Sequence, residues 1–230
     1  MVHSISTMKF RIICYILLII LSGSCRKTVD PALPPTTVTD IDGNVYHTVT
    51  IGSQVWLGEN LRVTRFNDGT TIPGINDSTL WGKQASPAFC WYNNDESNKT
   101  TYGALYNWHA GSSGKLAPKG WHVPSDAELT QLITFCGGEK VAGGILKEKG
   151  TTHWGDPNTG AVNEFGFSAL PGGYRAASGG FVGIGYVGYM WCTTTYVTGA
   201  LYREMSNSDG EVRTNNNNKE FGYSIRCIRD

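Results

Sequence analysis

Cys25 lies where a short export leader would end, and its thiol is the group whose surroundings most clearly predict chemistry. Lys9 and Arg11 are the only charged residues before it, and the apolar run 12–21 follows them. The small residues 22–24 then precede the cysteine. A basic start, an apolar stretch of roughly 7–15 residues and a small-residue exit are typical of a secretory signal.

The small residues before Cys25 are similar to a lipobox, in which the thiol is acylated and the chain is cut before it. One departure is that Leu21 lies four positions before the cysteine, where a lipobox usually has leucine three before. The sequence therefore predicts a lipoprotein signal peptide over 1–24. The alternatives are an ordinary cleaved signal and an uncleaved N-terminal anchor. The run is shorter than the about 20 apolar residues that a membrane-spanning helix needs.

Residues 25–37 are predicted to form a tether between the lipid and a single domain over 38–230. Prolines at 31, 34 and 35 stiffen this stretch, which has little apolar content. We expect a protein of the cell envelope, lipid-anchored in the outer membrane and facing the periplasm or the outside. Loss of the leader leaves 17 basic and 19 acidic residues, because Lys9 and Arg11 are removed. Without a basic patch, nucleic acid is not an expected partner.

The domain contains four cysteines, Cys90, Cys136, Cys192 and Cys227. An oxidising compartment permits pairing, and we predict that Cys227 pairs with Cys136 or Cys192. The alternative is that all four are free buried thiols, which pack as small hydrophobic side chains. No CxxC motif indicates a zinc site.

His153 is the histidine whose role is least explained by its neighbours, Trp154 and Asp156. Catalysis would require it to converge with carboxylates such as Asp156 and Glu164. His122 lies three residues before Ser125, where the best predicted helix begins. No histidine spacing is typical of a metal site, and no nucleophile elbow or phosphate loop is present. We therefore expect no catalytic residue, no metal and no cofactor.

Tryptophan and tyrosine are numerous for a domain of this size. Exposed rings can form stacking platforms for sugars or hot spots for partner proteins. The alternative is ordinary packing in a glycine-rich domain. The glycine-rich segment 176–188 is the loop expected to carry an exposed patch. The candidate ligand-binding residues are Trp91, Tyr92, Trp154, Tyr174, Phe181 and Tyr186.

The elements that must position these residues are short. Alternating residues over 45–51, with a turn at Gly52-Ser53, predict a hairpin with 54–57. Ser125 and Glu128 predict a capping box that begins a helix, with an apolar face running to Cys136 and a glycine pair at its end. Short helices are also predicted over 102–110 and 139–147. Strands are predicted over 167–170, 189–196, 200–206 and 223–228, and turns or loops over 67–86, 171–173, 208–210 and 215–218.

Six motifs in order resemble those of the Fibrobacter succinogenes major paralogous domain, abbreviated FISUMP. The resemblance covers nearly all of 38–230 and implies an exported bacterial protein, often a lipoprotein, of a family without an established activity. The motifs are Trp-Leu-Gly-Glu-Asn-Leu at 56–61, Trp-Tyr-Asn-Asn-Asp at 91–95, Tyr-Gly-Ala-Leu-Tyr-Asn-Trp at 102–108, Gly-Trp-His-Val-Pro-Ser at 120–125, Gly-Phe-Ser-Ala-Leu-Pro-Gly-Gly-Tyr-Arg at 166–175 and Gly-Tyr-Ser-Ile-Arg-Cys at 222–227.

The same order of motifs is distantly similar to the C-type lectin-like fold, which the formylglycine-generating enzymes share. This resemblance implies an α+β domain with two short helices, small twisted antiparallel sheets, long loops and paired N- and C-terminal strands. The reactive-cysteine motif of those enzymes is not matched around Cys192 and Cys227. The calcium-binding tripeptides of sugar-binding lectins, with their central proline, are also missing.

We therefore expect a non-catalytic, membrane-tethered binding or adhesion module whose ligand is a glycan or a surface protein. An enzyme of the formylglycine-generating or glycan-processing type is one alternative. A purely structural envelope lipoprotein is the other.

Overall fold

The computed structural model describes residues 36–230, which form a mixed α+β unit. The predicted signal peptide, Cys25 and nearly all of the predicted tether lie outside the described residues. No helix within residues 36–230 is long and apolar enough to cross a membrane.

Most of the regular structure is short. The strands are β1 Thr37–Thr39, β2 Val45–Ile51, β3 Gln54–Leu57, β4 Phe89–Cys90, β5 Leu105–Tyr106, β6 Trp121–His122, β7 Gly172–Arg175, β8 Phe181–Ile184, β9 Val187–Tyr196, β10 Gly199–Ser206, β11 Arg213–Asn217 and β12 Ile228–Arg229. The helices are α1 Ser78–Trp81, α2 Lys99–Tyr102, α3 Trp108–Gly111, α4 Asp126–Phe135 and α5 Glu139–Leu146, with 3-10 turns at Tyr92–Asn94 and Glu96–Asn98.

The first sheet is antiparallel and has the strand order β1-β2-β3-β12-β6. The predicted hairpin is confirmed as β2 and β3, joined at Gly52, whose φ of +60° favours glycine. Ile228 in β12 pairs with Trp56 in β3 on one side and with His122 in β6 on the other. The last strand of the chain is thus paired with the N-terminal hairpin.

The second sheet has the order β11-β10-β9-β7-β8, and only β7 and β9 are parallel. Successive side chains of β9 point to opposite faces. Met190 and Cys192 lie in a core cluster with the apolar side of α4, whereas Trp191 lies in the other large cluster, with Tyr189 packed against it. The sheet therefore separates the two large core clusters.

The predicted helix α4 begins with the predicted capping box. The Ser125 Oγ accepts from the Glu128 amide at 3.3 Å, and the Glu128 carboxylate accepts from the Ser125 amide at 2.7 Å. Gly137 and Gly138 follow the helix, both with a φ of +91°. The second predicted helix is confirmed as α5, one residue shorter at its end.

Several local predictions are wrong because long-range pairing overrides the local pattern. Residues 102–110 are not one helix, since β5 pairs there with β4, between α2 and α3. The predicted strand 167–170 makes only a single bridge, at Ala169, and β7 begins within the predicted glycine turn 171–173. Within 223–228, Tyr223 and Ser224 make isolated bridges, 225–227 are irregular, and β12 begins only at Ile228. The asparagine run predicted as a loop forms β11, because its backbone pairs with β10.

The predicted disulfide is also wrong. Cys136, Cys192 and Cys227 are free buried thiols, as is Cys90. Cys227 lies in the core cluster that contains Trp191, whereas Cys136 and Cys192 lie in the cluster beneath α4. The Cys192 thiol donates to a backbone carbonyl at 3.2 Å instead of bonding to a second sulfur. The cysteines thus pack as small apolar side chains.

A buried lysine holds together two segments that are distant along the chain, one at Thr159 and one at 206–209. The Lys147 Nζ donates to the carbonyl oxygens of Thr159, Ser206 and Asp209 at 2.7–3.1 Å, and it lies 5.2 Å from the ring centroid of Trp154. Burial lowers the pKa of Lys147 to about 8. The carbonyl of Thr159 is about 50 residues from the other two along the chain. The ammonium group of Lys147 therefore links two segments that no local interaction would bring together.

Candidate functional site

Neighbouring strands of the second sheet place three tyrosines and a carboxylate on one face. In β9 and β10, Tyr189 lies opposite Glu204, and Trp191 lies opposite Tyr202. The partners of Glu204 and Tyr202 in β11 are Arg213 and Asn215. Tyr174 joins this face from β7, which runs beside β9. We call the surface formed by Tyr174, Tyr189, Tyr202, Phe221, Glu204 and Asn215 the tyrosine face.

The rings of the tyrosine face form one continuous network. Tyr174 packs edge-on against Tyr189 with centroids 5.1 Å apart, and it lies nearly parallel to Phe221 at 6.0 Å. Tyr189 lies 5.5 Å from Tyr202. Beneath them, Tyr223 stacks on Tyr189 at 5.0 Å. Such offset and edge-to-face arrangements are the favoured geometries of aromatic pairs.

The rings of this network differ in how far they are buried. Trp191 and Tyr223 are fully buried, and Tyr202 is 8% exposed. Tyr174, Tyr189 and Phe221 are only partly buried against the same cluster. The partly buried rings are therefore held in place by fully buried ones, so that little conformational freedom is lost when a ligand stacks on them.

The polar groups of the face are a carboxylate and an amide. The Asn215 Nδ2 donates to the Glu204 carboxylate over a long 3.4 Å. Burial, and then the charge of Glu204, raises the pKa of both Tyr189 and Tyr202. The phenols therefore stay protonated at neutral pH and remain available as hydrogen-bond donors.

This arrangement can hold a ligand that has both an apolar face and hydroxyl groups. A pyranose ring stacks its C–H face on tyrosine, while its hydroxyls donate to a carboxylate and accept from an amide or a phenol. Among residues 36–230, a cavity of about 260 Å³ and another of about 100 Å³ are lined by other residues, such as Asn67 and His122. Both are below the roughly 300–1,000 Å³ of ordinary small-molecule pockets.

Only one of the six predicted ligand-binding residues, Tyr174, lies on the tyrosine face. The predictions for Tyr92 and Trp154 are wrong, because these side chains are 6% and 1% exposed and belong to the core. The Trp154 Nε1 donates to the carbonyl of Ala169 at 2.9 Å, which anchors the ring inside.

The other three predicted residues lie apart from this face. Trp91 is half-buried and packs edge-on against Phe89. Phe181 packs on buried Tyr92, and its ring also lies 4.8 Å from the Arg175 guanidinium. Tyr186 is 59% exposed in the turn between β8 and β9, as expected for the 176–188 segment. In the part of the chain that the structure describes, none of these three rings packs against another.

His153 contacts a carboxylate other than the two considered from the sequence. Its Nδ1 lies 2.9 Å from both oxygens of Glu148, and the ring of Tyr102 packs edge-on against it at 5.9 Å. Asp156 and Glu164 make no contact with His153 within residues 36–230. In the same residues, no group of three histidine, cysteine or acidic side chains is placed to hold a metal ion.

Tyr189, Tyr202 and Glu204 were not among the candidate ligand-binding residues, although a signal for them exists. Tyr189 and Trp191 alternate in one predicted strand, and Tyr202 and Glu204 alternate in the next. Period-two alternation places each pair on one face. The register between the strands decides whether the two pairs meet, and the sequence does not specify that register.

The fold and site define a small α+β domain with a partly open aromatic face on one sheet. A family model, the Fibrobacter succinogenes major domain, matches residues 49–229. The chain belongs to this family. Neither the curated proteins nor the solved structures that were searched contain a match.

Proposed function

We propose that this protein is a non-catalytic binding module of the bacterial cell envelope, tethered to a membrane through Cys25, and that it binds a glycan on the tyrosine face. The observation that carries the proposal is the position of Glu204 directly opposite Tyr189 on that face. A half-exposed ring next to a carboxylate offers stacking and hydrogen bonding to the same sugar.

Two further observations support binding to an open surface. The partly buried rings of Tyr174, Tyr189 and Phe221 all pack against buried Tyr223, which makes the face rigid. Glycan chains are extended ligands, and an open face can follow several sugar units where a cavity of about 260 Å³ holds few atoms.

A glycan array probed with the protein, purified from membranes in detergent, tests the proposal. We expect binding to at least one glycan and a loss of at least tenfold in affinity for Tyr189→Ala. Tyr196→Ala is the matched control, because Tyr196 is 51% exposed at the far end of β9. Circular dichroism and the melting temperature show whether both variants fold.

Two outcomes would overturn glycan binding. One is that folded wild-type protein binds no glycan on the array. The other is an equal loss of affinity for both variants. A third outcome is that wild type binds no array glycan but binds a purified envelope protein. If Tyr189→Ala abolishes that binding, the tyrosine face recognises a protein instead.

The tether is tested separately from the ligand. Metabolic labelling with an alkyne fatty acid, followed by mass spectrometry, should find acyl chains on Cys25 and no residues before it. Cys25→Ser should lose the label and leave the membrane fraction, since several acyl chains are needed for durable attachment. An unmodified protein with its leader intact would contradict the tether.

A further inference from the structure

We propose that Glu204 makes the tyrosine face selective for neutral glycans and excludes those that carry carboxylate, sulfate or phosphate groups. The inference deepens the proposed function and rests on it. It concerns one side chain and the charges around it.

Glu204 is placed to touch whatever stacks on the rings. Its backbone lies opposite that of Tyr189, and its carboxylate contributes to the raised pKa of Tyr189 and of Tyr202. The single hydrogen bond to this carboxylate among the described residues is the 3.4 Å bond from Asn215. At least one carboxylate oxygen is therefore available to accept from a ligand hydroxyl.

The nearest cation, Arg213, is attracted to Glu204 but forms its salt bridges with two other carboxylates. Arg213 lies opposite Glu204, but its Nη2 is 2.7 Å from Asp209 and 3.2 Å from Glu211. Glu211 also pairs with Lys140 at 2.9 Å. Among residues 36–230, Glu204 itself forms no salt bridge, so its charge is not directly paired.

The consequence for binding follows from the chemistry of the two ligand types. Two hydroxyls of a neutral sugar can donate to a free carboxylate, and such charge-assisted bonds are about twice as strong as neutral ones. An acidic group stacked on Tyr189 would instead lie within a few ångströms of the Glu204 charge. Like charges at that distance repel strongly, and burial against the rings reduces solvent screening.

Paired oligosaccharides that differ only at C6 test the inference. The probes are mannohexaose against the mannuronate hexamer, and galactohexaose against the galacturonate hexamer, measured by titration calorimetry with the detergent-purified protein. Glu204→Gln keeps the shape and removes the charge. Glu96→Gln is the control, because Glu96 is exposed on a different segment.

We expect wild type to prefer the neutral member of a bound pair by at least tenfold. Glu204→Gln should reduce that preference at least fivefold, while Glu96→Gln leaves it unchanged. Raising the salt from 0.05 to 0.5 M should weaken the discrimination, because the Debye length falls below about 5 Å.

The outcomes separate the inference from the proposed function. If wild type binds glycans without discriminating by charge, or if Glu204→Gln discriminates as wild type does, the selectivity inference is wrong while glycan binding stands. If neither wild type nor Glu204→Gln binds any probe or array glycan, the proposed function fails and the inference fails with it.

Discussion

Tyr189 stacks on Tyr223, with ring centroids 5.0 Å apart and ring planes 15° from parallel. Tyr223 is 1% exposed, and its hydroxyl accepts a 2.9 Å hydrogen bond from the Asn217 side chain. Tyr189 is only partly buried. A buried, hydrogen-bonded ring therefore fixes the orientation of an exposed one.

Tyr223→Phe should lower the free energy of unfolding by about 1 kcal/mol, because the hydroxyl that bonds Asn217 and Tyr202 is lost while the stacked ring remains. Urea denaturation measures the change. Tyr196→Phe is the control, since the Tyr196 ring is half exposed. Equal stabilities of the two variants would contradict a role for the Asn217 bond.

His122 should stabilise the fold in a pH-dependent way. Burial alone lowers its pKa, but hydrogen bonds to Asp230 at 2.7 Å and Glu128 at 2.8 Å raise it above the ordinary value of 6.5. With the folded pKa above the unfolded one, the stabilisation is fully present below pH 6.5. It is lost as the pH rises through the folded pKa.

We therefore expect His122→Gln to cost about 0.5–1 kcal/mol more at pH 5.5 than at pH 8.5, a modest amount because the side chain is over a third exposed. Urea denaturation of both proteins at the two pH values checks this. His47→Gln, at an exposed ion pair, is the control. The same cost at both pH values would show that His122 is not charged in the folded protein.

Lys147→Met should destabilise the protein by about 2–4 kcal/mol. The change leaves three partly buried carbonyl acceptors, those of Thr159, Ser206 and Asp209, without their shared donor. Lys149→Met is the matched control, because Lys149 is exposed two residues further along. Thermal unfolding of both variants measures the difference in stability. Similar melting temperatures for the two variants would contradict the crosslinking role of Lys147.

Gly143→Ala should destabilise the protein even though alanine favours a helix over glycine by about 1 kcal/mol. A Cβ at Gly143 in α5 would collide with the backbone carbonyl of Glu211. We expect a loss of about 2 kcal/mol or more, from overpacking against the backbone. Val141→Ala, at an exposed position of the same helix, should change little. A stabilised Gly143→Ala would mean that α5 does not lie this close to 211.

The thiols of Cys90, Cys136, Cys192 and Cys227 should all be free and protected. Burial raises the pKa of each, which suppresses the reactive thiolate. Titration with a thiol-specific reagent and no reductant should count none of these four in the native protein and all four after denaturation, apart from any thiol at Cys14 or Cys25. If only two of the four thiols react after denaturation, the other two form a disulfide and the prediction is wrong.

Local interactions explain the parts of the fold that are visible in the sequence. The capping box of Ser125 and Glu128 and the glycine pair after α4 act within a few residues of one another, so the sequence suffices to place them. The β2–β3 hairpin is predictable for the same reason, because Gly52 and period-two alternation specify it. β11 is not predictable in this way, since its asparagines become a strand only by pairing with β10.

By itself, the sequence determined the leader pattern before Cys25, the hairpin, the capped helix and the membership of the family through motifs in order. Only the tertiary structure decided which rings are open and which are core. Trp154 and Tyr189 are both aromatic residues in glycine-rich surroundings, yet the first is 1% exposed and the second lies half open beside Glu204. The physical reason is that exposure and strand register depend on contacts between residues distant along the chain, which side-chain types and spacing do not encode.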